Sequence, residues 1–104
     1  MSLSNRQHIT DEEEALFRLL RQIDAAPGAT QRIIAEALAV SLGRLNAQLK
    51  DTAARGFIKV GDSNSADKRQ RYSYELTLKG ASEKARLTDT FLARRLAEYN
   101  ALHA

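Results

Sequence analysis

The chain has 104 residues, with sixteen Lys and Arg against thirteen Asp and Glu, and a formal net charge of +3. Hydrophobic residues make up 43%, which suffices for one compact domain and excludes wholesale disorder, and the absence of Cys excludes disulfides and thiolate metal sites. Aromatic residues reach only 6%, so the core is thin, and sharing it with a second chain is one remedy.

No membrane or targeting segment is visible in the sequence. No apolar run approaches the roughly 20 residues that span a bilayer. The polar start MSLSNRQHITDEEE also lacks the apolar middle of a signal peptide. We therefore expect a cytoplasmic protein without a membrane partner, and we expect residues 1–10 to form a flexible tail.

The first predicted helix follows this tail. Thr10 or Asp11 can cap it, and the acidic run DEEE lies favourably at the positive end of its dipole. Pro27 and Gly28 end the helix, because Pro cannot continue one. Apolar residues at helical spacing predict its buried stripe, which is Ala15, Leu16, Leu19, Leu20 and Ile23.

Two further helices are predicted in close succession. The second begins near Thr30, and a tight link at Ala39-Val40 leads to Ser41, which caps the third. The third helix ends at Arg55-Gly56, where Gly supplies a left-handed conformation. The predicted buried residues are Ile33, Ile34, Ala37 and Leu38 on the second helix, and Leu42, Leu45, Leu49 and Ala53 on the third.

A β-hairpin and a long helix complete the chain. Phe57–Val60 and Arg71–Leu76 alternate as strands, and the polar segment GDSNSADKRQ between them predicts a loop with a basic tip. Thr77 can cap the last helix, whose apolar positions recur at helical spacing over about six turns. These positions are Leu78, Ala81, Ala85, Leu92, Leu96, Tyr99 and Leu102, with Leu87 and Phe91 on a neighbouring stripe.

This order of elements predicts a winged helix-turn-helix, because two helices joined by a tight link precede a hairpin. The expected fold is mainly α with a small β-hairpin: a DNA-binding domain at 11–77 and a C-terminal dimerisation helix at 78–104. Residues 41–74 carry a net +4 whereas residues 1–24 carry −2, which favours a surface that faces a polyanion. Random scatter over a solvated surface explains the charge equally well.

The third helix offers a face to the major groove of double-stranded DNA. Arg44 suits guanine, Asn46 suits adenine, and Lys50 suits a phosphate. Two explanations fit the glycine at position 43: it lets the backbone approach DNA closely, or it arose by neutral drift. Thr30 can cap its helix, contact phosphate, or do both. The full set of predicted contacts in this region is Thr30, Gln31, Arg32, Ser41, Gly43, Arg44, Asn46, Ala47 and Lys50.

The hairpin wing carries Lys68, Arg69 and Arg71. A basic hairpin tip can lie along the DNA backbone or place an arginine in the minor groove. The alternative is a solvated, mobile loop, which we favour for Lys68, whereas we favour DNA contact for Arg69.

The segment VSLGRLNAQLKDTAARGFIKV resembles the recognition helix and first wing strand of the MarR family of bacterial transcriptional regulators. The segments DKR at 67–69 and LTLKG at 76–80 resemble that family's wing and its entry to the next helix. Together with TQR at 30–32, YSYELTLKG at 72–80 and LTDTFLARRLAEY at 87–99, they resemble the small members associated with exopolysaccharide loci. The resemblance covers residues 12–102 and implies a homodimeric DNA-binding fold in which Asp67 orients Arg69 toward the minor groove.

The chain is shorter than typical members and lacks their long helical N-terminus. The resemblance therefore implies that the helix from Leu78 to Leu102 supplies most of the homodimer contact. The alternative is that its apolar stripe packs on the first helix of the same chain, and both arrangements can hold in part. The predicted dimerisation residues are Leu78, Ala81, Ala85, Phe91, Leu92, Leu96, Tyr99 and Leu102.

The sequence does not point to an enzyme. His8 and His103 lack partners for a metal site or a triad, and no Gly-rich phosphate loop is present. We predict no catalytic residue, no metal and no cofactor. The leading hypothesis is a sequence-specific transcriptional regulator at the nucleoid. The alternative is a winged-helix module that binds protein, and a third is a sensor of an unknown small molecule.

Overall fold

A computed structural model describes residues 10–62 and 72–103 of the chain. The elements within these ranges are α1 (Asp11–Ala25), β1 (Ala29–Thr30), α2 (Gln31–Leu38), α3 (Leu42–Ala54), β2 (Ile58–Asp62), β3 (Tyr72–Leu76) and α4 (Leu78–His103). The predicted order of helices and hairpin is confirmed. The predicted tail, apart from Thr10, and the predicted wing contacts Lys68, Arg69 and Arg71 lie outside the described residues. None of the described helices is long and apolar enough to cross a membrane.

The three strands form an antiparallel sheet in the order β1-β3-β2. Strand β2 reaches Asp62, two residues beyond its predicted end, because its pairing with β3 continues to Tyr72. Strand β1 was not predicted, because a strand of two residues is too short to show an alternation of apolar and polar residues. It forms against β3, where Ala29 lies opposite Tyr74, and the N–H of Gly28 donates to the carbonyl of Tyr74 at 3.1 Å.

Helix α1 begins at the predicted cap. The N–H of Glu13 donates to Thr10 Oγ1 at 3.0 Å, and the N–H of Thr10 donates to Glu13 Oε1 at 3.3 Å, a reciprocal capping box. The predicted stripe is buried except at Ala15, which is exposed. Ala15 lies at the edge of the stripe, where its carbonyl accepts a hydrogen bond from Gln48 of α3 at 3.1 Å. The buried residues of α1 are Leu16, Leu19, Leu20 and Ile23.

Helices α2 and α3 bury different residues from those predicted. Ile34 and Ala35 face the core on α2, so the predicted burial of Ile33 and Ala37 is wrong, and Ile33 is 47% exposed. The apolar residues of so short a helix fit two faces equally well, and packing selects between them. On α3, Leu45 and Leu49 are buried as predicted, but Leu42 is 53% exposed because it lies on the first turn, beyond the edge of the core.

The turn between α2 and α3 comprises residues 39–41. Ala39 adopts the left-handed conformation with φ 56° and ψ 43°. This conformation lets the N–H of Val40 donate to the carbonyl of Ala35 at 3.1 Å, which closes the end of α2. A left-handed residue other than Gly is strained, so this tight turn is formed at some cost in stability.

The entry to α4 is fixed by Thr77. Its Oγ1 donates to the carbonyl of Gly56 at 2.6 Å and accepts from the N–H of Gly80 at 3.0 Å, and its own N–H donates to the carbonyl of Phe57 at 3.1 Å. The predicted capping role of Thr77 is therefore confirmed. Gly80 lies so close to Phe57 that a Cβ at this position would overlap the Phe57 carbonyl.

The N-terminal half of α4 packs on α1. Leu87 is completely buried, and the rings of Phe91 and Phe17 stack with their centroids 4.6 Å apart. Arg86 forms ion pairs with Glu13 of α1 and with Glu83, and its hydrogen bond lowers the pKa of Glu83 below the ordinary value. The molecule measures 57 × 25 × 22 Å, a length that reflects the 26 residues of α4.

We expect Gly80→Ala to destabilise the protein by about 3 kcal/mol, because its methyl group forces α4 away from the Phe57 backbone. Gly43→Ala is the matched control, since Gly43 is also helical but a Cβ there meets no atom within 4 Å. That change should raise stability by up to ~1 kcal/mol through helix propensity. Urea unfolding of both variants measures the difference, and equal stabilities would contradict the close contact.

Ala39→Gly should stabilise the protein by about 0.5–1 kcal/mol, because Gly adopts the left-handed conformation without the steric penalty of Ala. Thermal or urea unfolding measures this gain. Ala37→Gly, within α2, provides the control and should instead destabilise by about 1 kcal/mol. A loss of stability in Ala39→Gly would be inconsistent with the turn described above.

Candidate nucleic-acid interface

The exposed face of α3 lies opposite its buried residues. Leu45, Leu49 and Thr52 point into the core, and Thr52 Oγ1 donates to the carbonyl of Gln48 at 2.7 Å. The opposite face presents Gly43, Ala47 and Lys50, all exposed. Two of these three residues carry little or no side chain, so the face is flat except for one lysine.

The first turn of α3 is held by a side-chain cap. Ser41 Oγ accepts a hydrogen bond from the N–H of Arg44 at 3.1 Å, as predicted for an N-cap. Gln31 of α2 adds a second restraint, because its Nε2 donates to the carbonyl of Leu42 at 3.1 Å. The leading end of α3 is thus tied both to its own cap and to α2.

Arg44 and Asn46 lie on opposite flanks of α3, since residues two apart on a helix do not share a face. Arg44 is exposed on the flank nearest α1, where it lines a crevice of about 390 Å³ together with Glu12, Gln48 and Arg55. Asn46 is half-buried on the other flank. Arg44 and Asn46, the two residues predicted to read bases, therefore lie on either side of the exposed face of α3, and the structure does not bring them together.

The start of α2 differs from its prediction at Thr30. Thr30 is only 5% exposed, its Oγ1 has no hydrogen-bond partner among the described residues, and it makes no side-chain cap. Thr30 is the N-cap residue of α2, as predicted, but its side chain does not donate to or accept from the first turn of the helix, and its backbone pairs with Ser73 in the sheet. Its buried hydroxyl is not positioned to contact a phosphate at the surface. Arg32 is exposed and pairs with Glu36 at 3.4 Å, a weak surface contact.

Arg18 of α1 is a basic residue that the sequence did not single out. It lines a crevice of about 240 Å³ with Ala39, Val40 and Arg44, at the edge of the helix-turn-helix. Among the described residues, neither Arg18 nor Arg44 nor Lys50 forms an ion pair. The helical spacing of Arg18 indicates only an exposed position, and its proximity to α3 appears only in the folded chain.

No group of three or more His, Asp or Glu side chains within residues 10–62 and 72–103 is placed to hold a metal ion. Burial raises the pKa of Tyr74, a core residue that pairs with both neighbouring strands. The lowered pKa of Glu83 belongs to the packing of α4 on α1.

Comparisons with known proteins agree with this geometry. Residues 13–59 match the family model described as winged helix-turn-helix DNA-binding. No curated protein sequence matches the chain significantly.

Solved structures resemble the chain over most of its length. The transcriptional repressor CouR, bound to a 23-mer DNA duplex, is 27% identical with a TM-score of 0.73, and the alignment covers 92% of this chain and 64% of CouR. A mutant of MarR from E. coli, complexed with operator DNA, is 28% identical with a TM-score of 0.66, covering 79% of this chain and 55% of MarR. MepR, a regulator of the Staphylococcus aureus multidrug efflux pump MepA, is 22% identical with a TM-score of 0.67, covering 89% and 65%.

The chain spans less than two thirds of each of these three structures. The family-model match at residues 13–59 contains α1, the helix-turn-helix of α2 and α3, and the start of β2. The chain therefore has a winged helix-turn-helix fold with a long C-terminal helix, and its structural neighbours are MarR-family regulators.

Proposed function

We propose that this chain is a sequence-specific, DNA-binding transcriptional regulator that acts as a homodimer. The observation that carries the proposal is the exposed face of α3 at Gly43, Ala47 and Lys50, flanked by Arg44, which forms no ion pair within residues 10–62 and 72–103. The two DNA-bound neighbours, CouR and MarR, support it through their shared fold and 27–28% identity. Catalysis is no part of this proposal.

The α3 face suits the major groove, which admits a helix. Gly43 and Ala47 hold the helix surface low, so the backbone can approach the base edges closely. Arg44 then reaches guanine from one flank, Asn46 reaches adenine from the other, and Lys50 meets a phosphate. Ser41 contributes through its cap, because it rigidifies the turn that leads into the groove.

Contacts to the DNA backbone would come from two further regions. Gln31 and Arg32 lie at the start of α2, whose unpaired N–H groups favour phosphate. The wing would place Lys68, Arg69 and Arg71 on the backbone or in the minor groove, with Asp67 orienting Arg69 as the family resemblance implies. Two copies would read half-sites about one helical turn apart.

The homodimer would form through α4. Its exposed apolar residues follow one face from end to end, opposite Leu87 and Gly80, which face the core. Burying one Leu side chain contributes about 1.5–3 kcal/mol, so several such residues make a strong interface. Phe91 was also predicted to contact the second chain, but it packs on Phe17 of its own chain and is therefore not part of the proposed interface. The proposed interface is Leu78, Ala81, Ala85, Leu92, Leu96, Tyr99 and Leu102.

We further propose a division into a DNA-binding domain at 11–77 and a dimerisation helix at 78–104, with action at the nucleoid in the cytoplasm. Exopolysaccharide genes are the proposed targets. The support for these targets is the resemblance of TQR, VSLGRLN, YSYELTLKG and LTDTFLARRLAEY to the regulators of such loci.

Arg44→Ala should weaken binding to a selected DNA site by about 1–3 kcal/mol and relax base preference at one position, because it removes a bidentate contact. Lys50→Ala should weaken binding to all sequences alike and reduce the salt slope. Mobility shifts at two salt concentrations measure both effects, using DNA upstream of the chain's own gene and of exopolysaccharide genes. Arg94→Ala, on α4, is the charge-matched control and should change neither preference nor slope.

Unchanged selectivity in Arg44→Ala would refute the assignment of base reading to this residue. If the wild-type chain shifted no DNA at low salt, the proposed regulator would be rejected in favour of the protein-binding module. The half-exposed Ile33 on the winged helix is the observation that favours that second function.

Leu92→Glu should weaken the homodimer by at least about tenfold, ~1.4 kcal/mol, because the interface would bury an unpaired carboxylate. Sedimentation equilibrium measures the mass as a function of concentration. Ala93→Glu introduces the same charge one residue away, off the apolar face, and should leave the dimer intact. A wild-type chain that stayed monomeric throughout would refute the proposed dimer.

A further inference from the structure

Leu42 is an apolar residue without a core role. Its spacing predicts burial with Leu45 and Leu49, yet these two are buried and Leu42 is 53% exposed. A single exposed Leu is unremarkable on most surfaces. Leu42 differs because it is the first residue of α3, the helix proposed to enter the major groove.

The backbone of Leu42 is fixed from two sides. Its carbonyl accepts the hydrogen bond from Gln31 Nε2 at 3.1 Å, and the turn it begins is capped by Ser41 at 3.1 Å from the N–H of Arg44. A helical side chain leans toward the N-terminus of its helix. The exposed isobutyl group of Leu42 is therefore held at the leading end of α3 with little backbone freedom.

The neighbours of Leu42 leave it as the dominant apolar group at this end. Gly43 has no side chain, Ala47 has only a methyl group, and Arg44 and Ser41 are polar. N-terminal residues of a recognition helix are those that contact base edges. The apolar group that a base presents in the major groove is the 5-methyl of thymine.

We infer that Leu42 is a specificity-determining residue that selects thymine by packing against its 5-methyl group in the major groove. This inference rests on the proposed DNA-binding function and adds a base preference to it. Every other base places polar edge atoms or a bare C–H at that position, so a thymine buries the most apolar surface against Leu42.

The experiment uses duplexes that the 104-residue chain selects from a random pool. Each thymine is then replaced singly by deoxyuridine, which keeps the base-pairing edge and removes only the methyl group. At one or two positions in each half-site, the wild-type chain should lose about threefold to fivefold in affinity. Leu42→Ala should bind thymine and deoxyuridine equally at those positions, because it no longer reaches the methyl group.

Two variants separate methyl recognition from a general loss of apolar surface. Leu42→Met conserves volume and apolarity and should retain the preference for thymine. Ile33→Ala removes a similarly exposed apolar side chain from α2, and it should also retain that preference. Thermal unfolding confirms that all three variants are folded, which the exposure of both residues leads us to expect.

The possible outcomes separate a failure of this inference from a failure of the proposed DNA-binding function. If duplexes are selected but deoxyuridine is tolerated everywhere, or if Leu42→Ala discriminates as well as wild type, the role of Leu42 is overturned and DNA binding stands. If no duplex can be selected, the proposed function fails and the inference fails with it.

Discussion

The junction between α3, β2 and α4 fixes the geometry on which the rest of the molecule depends. Thr77 bonds to Gly56 and to Phe57, and Gly80 lets α4 begin against the Phe57 backbone without a side chain between them. The direction of α4 relative to α3 is therefore set by hydrogen bonds and close packing within a few residues. In a dimer joined through α4, this junction would also set the separation of the two α3 helices.

Helix α4 has apolar residues on two sides, one facing the core and one exposed. Leu87 and the ring of Phe91 close the core against α1, while the exposed leucines continue along the other side for its whole length. The core thus has few large side chains partly because several of the large apolar residues of the chain are exposed on α4. A second copy of the chain, covering α4, would complete a core that one copy leaves thin.

In the helix-turn-helix, three neighbouring residues adopt arrangements that are less stable than folding alone would favour. Ala39 is held in a left-handed conformation, Gly43 lies within a helix although a Cβ there would meet no other atom, and Leu42 is exposed. All three lie within five consecutive residues at the leading end of α3. Such a concentration is expected at a functional site, which agrees with the DNA-binding role proposed for α3.

The elements with local causes can be read directly from the order of residues. Thr10, Ser41 and Thr77 cap their helices because each hydroxyl meets a backbone N–H three residues ahead, and Gly56 ends α3 because it adopts positive φ readily. Those caps define the order of elements and place the proposed face on α3.

Other features depend on contacts between residues that are distant in the chain, and these appear only in the folded protein. Strand β1 exists because Ala29 and Thr30 meet β3, a pairing that also buries the Thr30 side chain, which local reasoning placed at the surface. Packing chose which face of α2 turned inward, and it left Leu42 outside the core. Periodicity limits which residues can share a face, but the neighbours that cover that face come from elsewhere in the chain, and no local pattern records them.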